Sequence, residues 1–262
     1  MIRGARAGVT AVVLLYALLP RDAMSAGEVP VDLKLVLAVD ASSSMDIYEQ
    51  KLQRNGYAAA FRSPAVIAAI MSGARRRIAV SYVEWGDPEN QIVVVPWTVV
   101  DGADSSNQLA ARLAAAPLNR FFGTSIAQAL AYSTALLSQS AFTSDRWVID
   151  ISGDGPNNMG PPVEPERSAA LSRGITINGL PIMIRTRWGQ GAYTLAGLDD
   201  YYRDCVIGGP DAFVVVVRSR DKFAEAIERK LILEIIAAQR TMITPIADTG
   251  PADDAVCPAD EK

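Results

Sequence analysis

Apolar runs rich in β-branched residues alternate with helical patterns between Asp32 and Arg240, and that alternation restricts the chain to βαβ units around a mostly parallel sheet. The runs cover 33–39, 78–83, 92–100, 147–151, 175–180 and 213–217, and helical patterns cover 46–61, 109–115, 126–137, 164–172, 195–202 and 221–239. Gly86-Asp87-Pro88-Glu89-Asn90 is a short link between the second and third runs, which favours an antiparallel pair. Pro96 places the third strand at the edge of the sheet, where a missing N–H is tolerated. In 46–61, Ile47, Leu52 and Tyr57 are apolar positions, and Ser43 and Asp46 are spaced as a capping box. The last helix repeats Phe223, Ile227, Leu231 and Ile235 every four residues. Its segment 231–238 is apolar but too short for a membrane span and contains Glu234, so a core-facing helix is expected. With no internal repeat and no composition shift, residues 27–240 are expected to form one domain.

The first 26 residues read differently. Arg3 and Arg6 precede an apolar stretch over 7–19, and small residues within Ala23-Met24-Ser25-Ala26 offer a cleavage site, the pattern of a secretory signal. The stretch falls short of the ~20 residues a spanning helix needs, so no membrane span is expected once the signal is cleaved. The expected address is the bacterial periplasm or the outside medium. Loss of Arg3, Arg6, Arg21 and Asp22 with the signal takes the formal net charge from −4 to −6. A protein that tracks phosphates needs a basic face, and Arg75-Arg76-Arg77 is the one run of three basic residues, so nucleic acid is not an expected partner. Cys205 and Cys257 fall in the exported part, where a bridge between them would tie the polar tail 241–262 to the domain. Two free thiols are the alternative.

The chain has no histidine, which removes imidazole bases, the Ser-His-Asp triad and the usual zinc ligand sets. Oxygen donors remain. Asp40-Ala41-Ser42-Ser43-Ser44 follows the first apolar run, Gly123-Thr124-Ser125 opens a helical stretch, and Ser152-Gly153-Asp154-Gly155 closes the fourth run. In a doubly wound sheet the carboxyl ends of the parallel strands share one rim, where ligands bind. Asp40 and Asp154 leave strands at that rim, and alternate residues of a tight loop point the same way, so Ser42, Ser44 and Thr124 can converge between the carboxylates. Two carboxylates and three hydroxyls suit Mg²⁺, with Mn²⁺ or Ca²⁺ as alternatives, and leave one coordination position open. Each segment alone also reads as structure, since serine and threonine are good N-caps and Gly-Asp-Gly is a common turn. Their coincidence carries the metal reading.

Asp40-x-Ser42-x-Ser44, Thr124 and Asp154 resemble the metal-ion-dependent adhesion site of von Willebrand factor type A domains in order, type and spacing. More closely, the chain is similar to a bacterial family of exported, uncharacterised proteins with such a domain. Val83-Glu84-Trp85, Gly123-Thr124-Ser125-Ile126, Ser152-Gly153-Asp154-Gly155-Pro156-Asn157-Asn158, the segment 175–182 and Cys205-Val206-Ile207-Gly208-Gly209-Pro210 carry that likeness over nearly the whole mature chain. The resemblance implies a Rossmann-like α/β fold: a six-stranded, mostly parallel sheet in the order 3-2-1-4-5-6, strand 3 antiparallel, flanked by helices. It also implies a metal whose open position takes an acidic side chain from a partner protein. One departure is Gly153, where many relatives carry threonine or serine before the aspartate.

A partner reaching that metal would meet Met45, Asp46, Trp85, Asp87, Arg120, Phe121, Phe122, Asn157 and Asn158, the expected specificity residues. Phe121 and Phe122 beside an arginine suit a binding hot spot, or one of the two packs inward. Glu84 and Asp150 read either as outer acceptors around the metal ligands or as satisfied structural carboxylates. The expected function is a non-enzymatic, Mg²⁺-dependent binding module that captures a partner's carboxylate. A Mg²⁺-dependent phosphoryl hydrolase is the rival, but the chain has no P-loop and no second aspartate two residues after Asp40. A structural domain with an empty site is the third reading.

Overall fold

The computed structural model describes residues 28–184 and 197–240; the expected signal, the tail and Cys257 lie outside these residues. Cys205 is buried, and among the described residues no cysteine is free. In chain order the elements are β1 (Val29–Pro30), β2 (Lys34–Asp40), α1 (Ile47–Arg62), α2 (Pro64–Met71), β3 (Ile78–Trp85), β4 (Gln91–Val100), α3 (Ala103–Ala115) and α4 (Ile126–Ser138). There follow β5 (Phe142–Thr143), β6 (Trp147–Gly153), α5 (Val163–Leu171), β7 (Ile175–Pro181), α6 (Leu198–Tyr201) and α7 (Phe223–Arg240). Five strands form the main sheet in the order β4-β3-β2-β6-β7, with only β4 antiparallel to its neighbour.

The sheet is covered on both sides, and its central strands β2 and β3 are buried at every register. Along β2, Leu35, Leu37 and Val39 enter one cluster with Tyr57, Phe61, Phe223, Ile227 and Leu231, from α1 and α7. Val36 and Ala38 enter the other, with Ile126, Leu130, Ile149 and Tyr202. That is the two-residue period of a strand split between two helical layers. β4 is the outer strand, as Pro96 requires, and the β3–β4 register shifts between Val80 and Tyr82, opposite that proline. Among the described residues no helix is long and apolar enough to cross a membrane.

Three expectations are corrected. The sixth strand does not form: residues 213–217 run beside β7 with no continuous ladder, pairing at the isolated bridges Gly179↔Val214 and, just past the end of β7, Ile182↔Val217. The ladder breaks because Asn178 Oδ1 takes the Phe213 N–H at 3.1 Å and Pro181 has no N–H to give. The capping box of α1 is Asp46 with Glu49, reciprocally bonded at 2.7 and 3.2 Å, rather than Ser43 with Asp46. Of the apolar positions named in that helix, Tyr57 is buried and Ile47 is half exposed. Finally, α2 and the short parallel pair β1–β5 were not expected; α2 is specified by Ser63 as N-cap and Pro64 at the first helical position.

α7 is fixed to the sheet by buried charge. Lys230 Nζ lies 2.6 Å from Asp150 Oδ1 and also pairs with Glu234, and all three side chains are excluded from water. Asn178 donates to Glu234. Burial, then the Asp150 charge, pushes the Glu234 carboxyl up to about 7. Asp150 is thus a satisfied structural carboxylate.

Candidate metal centre

β2 and β6 are adjacent and parallel, so Asp40 and Asp154 emerge side by side at one rim. Asp40 ends β2, and the Ser42 amide donates to its Oδ1 at 2.6 Å. The hydroxyls of Ser42 and Ser44 lie 2.8 Å apart, and Ser44 Oγ donates to Asp154 Oδ1 at 2.6 Å. A weaker bond, 3.4 Å, runs from the Asp154 amide to Asp40 Oδ2. Asp40, Ser42, Ser44 and Asp154 therefore form one hydrogen-bonded ring built from two strand ends.

Thr124 is tied to both sides of that ring through its loop. The Phe121 amide donates to Ala41 O at 2.9 Å, while Asn158 Oδ1 accepts from the Thr124 amide at 3.0 Å and the Asn158 amide returns a bond to Thr124 O. Gly123 precedes it at φ 119°, left-handed backbone that an L side chain rarely adopts, and a β-carbon there would collide with Met159. Ser125 caps α4 from its hydroxyl, and Asn157 Oδ1 takes the Ala127 amide at 3.2 Å. Further back, Glu84 pairs with buried Arg54 and accepts both the amide and the side chain of Asn119, bracing the 117–122 loop. Glu84 is an acceptor for the loop that delivers Thr124.

The electrostatics follow from this packing. Asp40 is buried and Asp154 half-buried, and burial, with the neighbouring Asp154 charge second, pushes the Asp40 carboxyl up to about 8 against the Ser42 hydrogen bonds. Burial likewise raises Asp154 to about 6, opposed by the Ser44 hydroxyl. Among the described residues no lysine or arginine is paired with either carboxylate, and no cluster of three or more acidic, cysteine or histidine side chains is gathered. Two adjoining carboxylates without a countercharge, flanked by neutral hydroxyls, fit a hard divalent ion.

The nine expected rim residues divide by exposure. Arg120, Phe122 and Asn158 are exposed, Asp46 and Phe121 are half-buried, and Met45, Trp85, Asp87 and Asn157 are buried and present no surface. Phe121 packs inward over Gly86, and Arg120 donates to Ser43 O. Three contributors escaped the sequence reading. Gln53 of α1 bonds Asp40 O through Nε2 and accepts from Ser152 Oγ, each at 3.0 Å, so it fastens the two strand ends together. Ile47 and Tyr48, in the first turn after the Asp40–Asp46 loop, are 50% and 54% exposed; Phe122, two residues before Thr124, is 77% exposed, and Met159, whose amide bonds Thr124 O, is 37% exposed. Their signal is apolar side chains in a first helical turn outside the four-residue period.

A family model described as a protein of unknown function, DUF1194, matches residues 30–239. No curated protein matches the chain. Among solved structures, it is similar to a von Willebrand factor type A protein from Catenulispora acidiphila, with TM-score 0.54 and 16% identity over 78% of this chain and 43% of that one. It is similar to the von Willebrand factor domain of the type V pili tip protein Mfa5 from Porphyromonas gingivalis, with TM-score 0.53 and 12% identity over 84% and 98%. It also matches proximal thread matrix protein 1 from the mussel byssus, in a structure with a zinc-occupied metal-ion-dependent adhesion site, with TM-score 0.54 and 15% identity over 79% and 48%. The chain spans 30% of a further match, the pilus adhesin SpaC from Lactobacillus rhamnosus GG. At these identities the likeness is one of fold.

Proposed function

The chain belongs to the DUF1194 family and has the von Willebrand factor type A fold, and from that premise we propose that it is an exported, non-enzymatic binding module. In this reading Asp40, Ser42, Ser44, Thr124 and Asp154 hold a divalent cation, Mg²⁺ by donor type, and the site captures an acidic side chain of a partner protein. Residues 1–26 direct the export.

The observation that supports this best is the Asp40–Asp154 pair, two carboxylates laced together by Ser42 and Ser44 with no basic side chain paired to them among the described residues. Such a pair is relieved by a proton or by a cation, and to a cation the neutral hydroxyls beside it offer further oxygen donors. When bound, a divalent ion supplies an electropositive centre for one more oxygen from outside. The chain's own part is to hold its donors still: Gln53 locks the strand ends, Asn158 fixes the Thr124 amide, and Glu84 braces the loop before it. Exposed Ile47, Tyr48, Phe122 and Met159, carried on the loops that deliver the donors, suit a captured carboxylate that lies within an apolar segment of the partner.

Titration calorimetry with Mg²⁺ tests the reading. The wild type binds, and Asp40→Ala loses binding while keeping its circular dichroism and its cooperative melting in EDTA. Unchanged Mg²⁺ affinity in that variant would overturn the proposal. A pull-down from envelope extract, with and without EDTA, then reads partner capture.

A further inference from the structure

Gly153, the last residue of β6, is glycine for lack of space, since its φ lies outside the left-handed region. A β-carbon there would lie 2.7 Å from Tyr202 Oη and 2.9 Å from Asp40 Oδ2, with Trp85 Cζ2 at 3.5 Å. Two oxygens thus face one small gap. Tyr202 is wholly buried, and its hydroxyl has no hydrogen-bond partner among the described residues, an arrangement rare enough in a folded protein to call for a reason. It opens a π-helical turn, Tyr202–Val206, closed by the Ile207 amide on Tyr202 O at 2.9 Å, so the ring is held from its backbone. On the other side of the gap, Asp40 Oδ2 is the poorly held oxygen of its carboxylate: Oδ1 has the 2.6 Å bond from Ser42, whereas Oδ2 has only the 3.4 Å contact from Asp154 N.

We propose that Tyr202 is a positioning residue of the metal centre, its O–H donating to Asp40 Oδ2 when that carboxylate serves a cation. Gly153 is the complement that leaves the phenol room to reach. The phenol comes from a segment 48 residues beyond Asp154, with no motif of its own. The inference rests on the cation reading given above and adds to it a residue that touches neither cation nor partner. It also accounts for an unpartnered buried hydroxyl that contributes nothing to folding in the cation-free protein.

Three proteins, each studied with Mg²⁺ and in EDTA, test it: wild type, Tyr202→Phe, and Tyr202→Phe with Gly153→Ser. Tyr202→Phe is expected to weaken Mg²⁺ binding by roughly 10-fold to 100-fold, the usual cost of removing a group that orients a metal ligand. Its melting temperature in EDTA is expected to equal or exceed that of the wild type, because no hydrogen bond is lost. In the double variant the serine hydroxyl enters the space vacated by the phenolic oxygen and recovers part of the affinity. Wild-type affinity in Tyr202→Phe overturns the inference and leaves the cation reading standing. Weakened affinity accompanied by a lowered melting temperature in EDTA assigns Tyr202 a merely structural role and overturns it too. Absence of Mg²⁺ binding by the wild type overturns the cation reading and this inference together.

Discussion

Asp40 carries the chemistry most open to titration. Its carboxyl is pushed up to about 8 by burial and then by Asp154, and Asp154 itself to about 6 by burial, while an unfolded aspartate titrates near ~3.9. Between those values the folded chain keeps protons that the unfolded chain has lost. The stability of the cation-free protein therefore falls as pH rises from about 4 to about 8, and is greatest on the acid side of that window. A cation must displace the same protons, so Mg²⁺ affinity is expected to climb over this range and level off above about pH 8. Melting in EDTA and calorimetry at several pH values check both trends. Asp40→Asn, which lacks the group, should flatten the stability curve, and a Mg²⁺ affinity independent of pH would show that the carboxylates are not the ligands.

At the scale of elements, the strand ends were readable in the sequence and the braces behind them were not. Asp40 and Asp154 each close an apolar run, a pattern local to a few residues. Gln53 and Tyr202 reach the same place from α1 and from the turn after α6, and only the packing of helices on the sheet brings them there. The sixth strand misled for a related reason: 213–217 has the composition of a strand, but Asn178 and Pro181 in its neighbour decide whether a ladder forms. α7 allows a sharper test. Among the described residues Lys230 is the cation paired with both buried carboxyls, so Lys230→Met should cost ~3 kcal/mol near pH 8, the penalty of stranding buried charge, and less near pH 5, where Glu234 holds a proton. Glu234→Gln should cost under ~1 kcal/mol at neutral pH, since its carboxyl is raised to about 7. Chemical denaturation midpoints measure both, and an equal loss in the two variants would contradict this division of charge.

For the whole molecule, the polar donors and the exposed apolar side chains should be separable. Phe122→Ala is expected to leave Mg²⁺ affinity within about 2-fold of the wild type while weakening partner capture in the pull-down by roughly 10-fold, as loss of an exposed aromatic anchor does. Equal capture would place the partner elsewhere on the surface. The sheet's own margins bear on how such a chain behaves when many copies are crowded together. β4, the outer strand, carries Pro96 at a register shift and so lacks one donor in the row a neighbouring molecule would need. On the far margin, 213–217 already occupies β7. Strand-by-strand pairing between copies is thereby disfavoured at both flanks of the sheet, which leaves the rim carrying Asp40 and Asp154 as the face open to a partner.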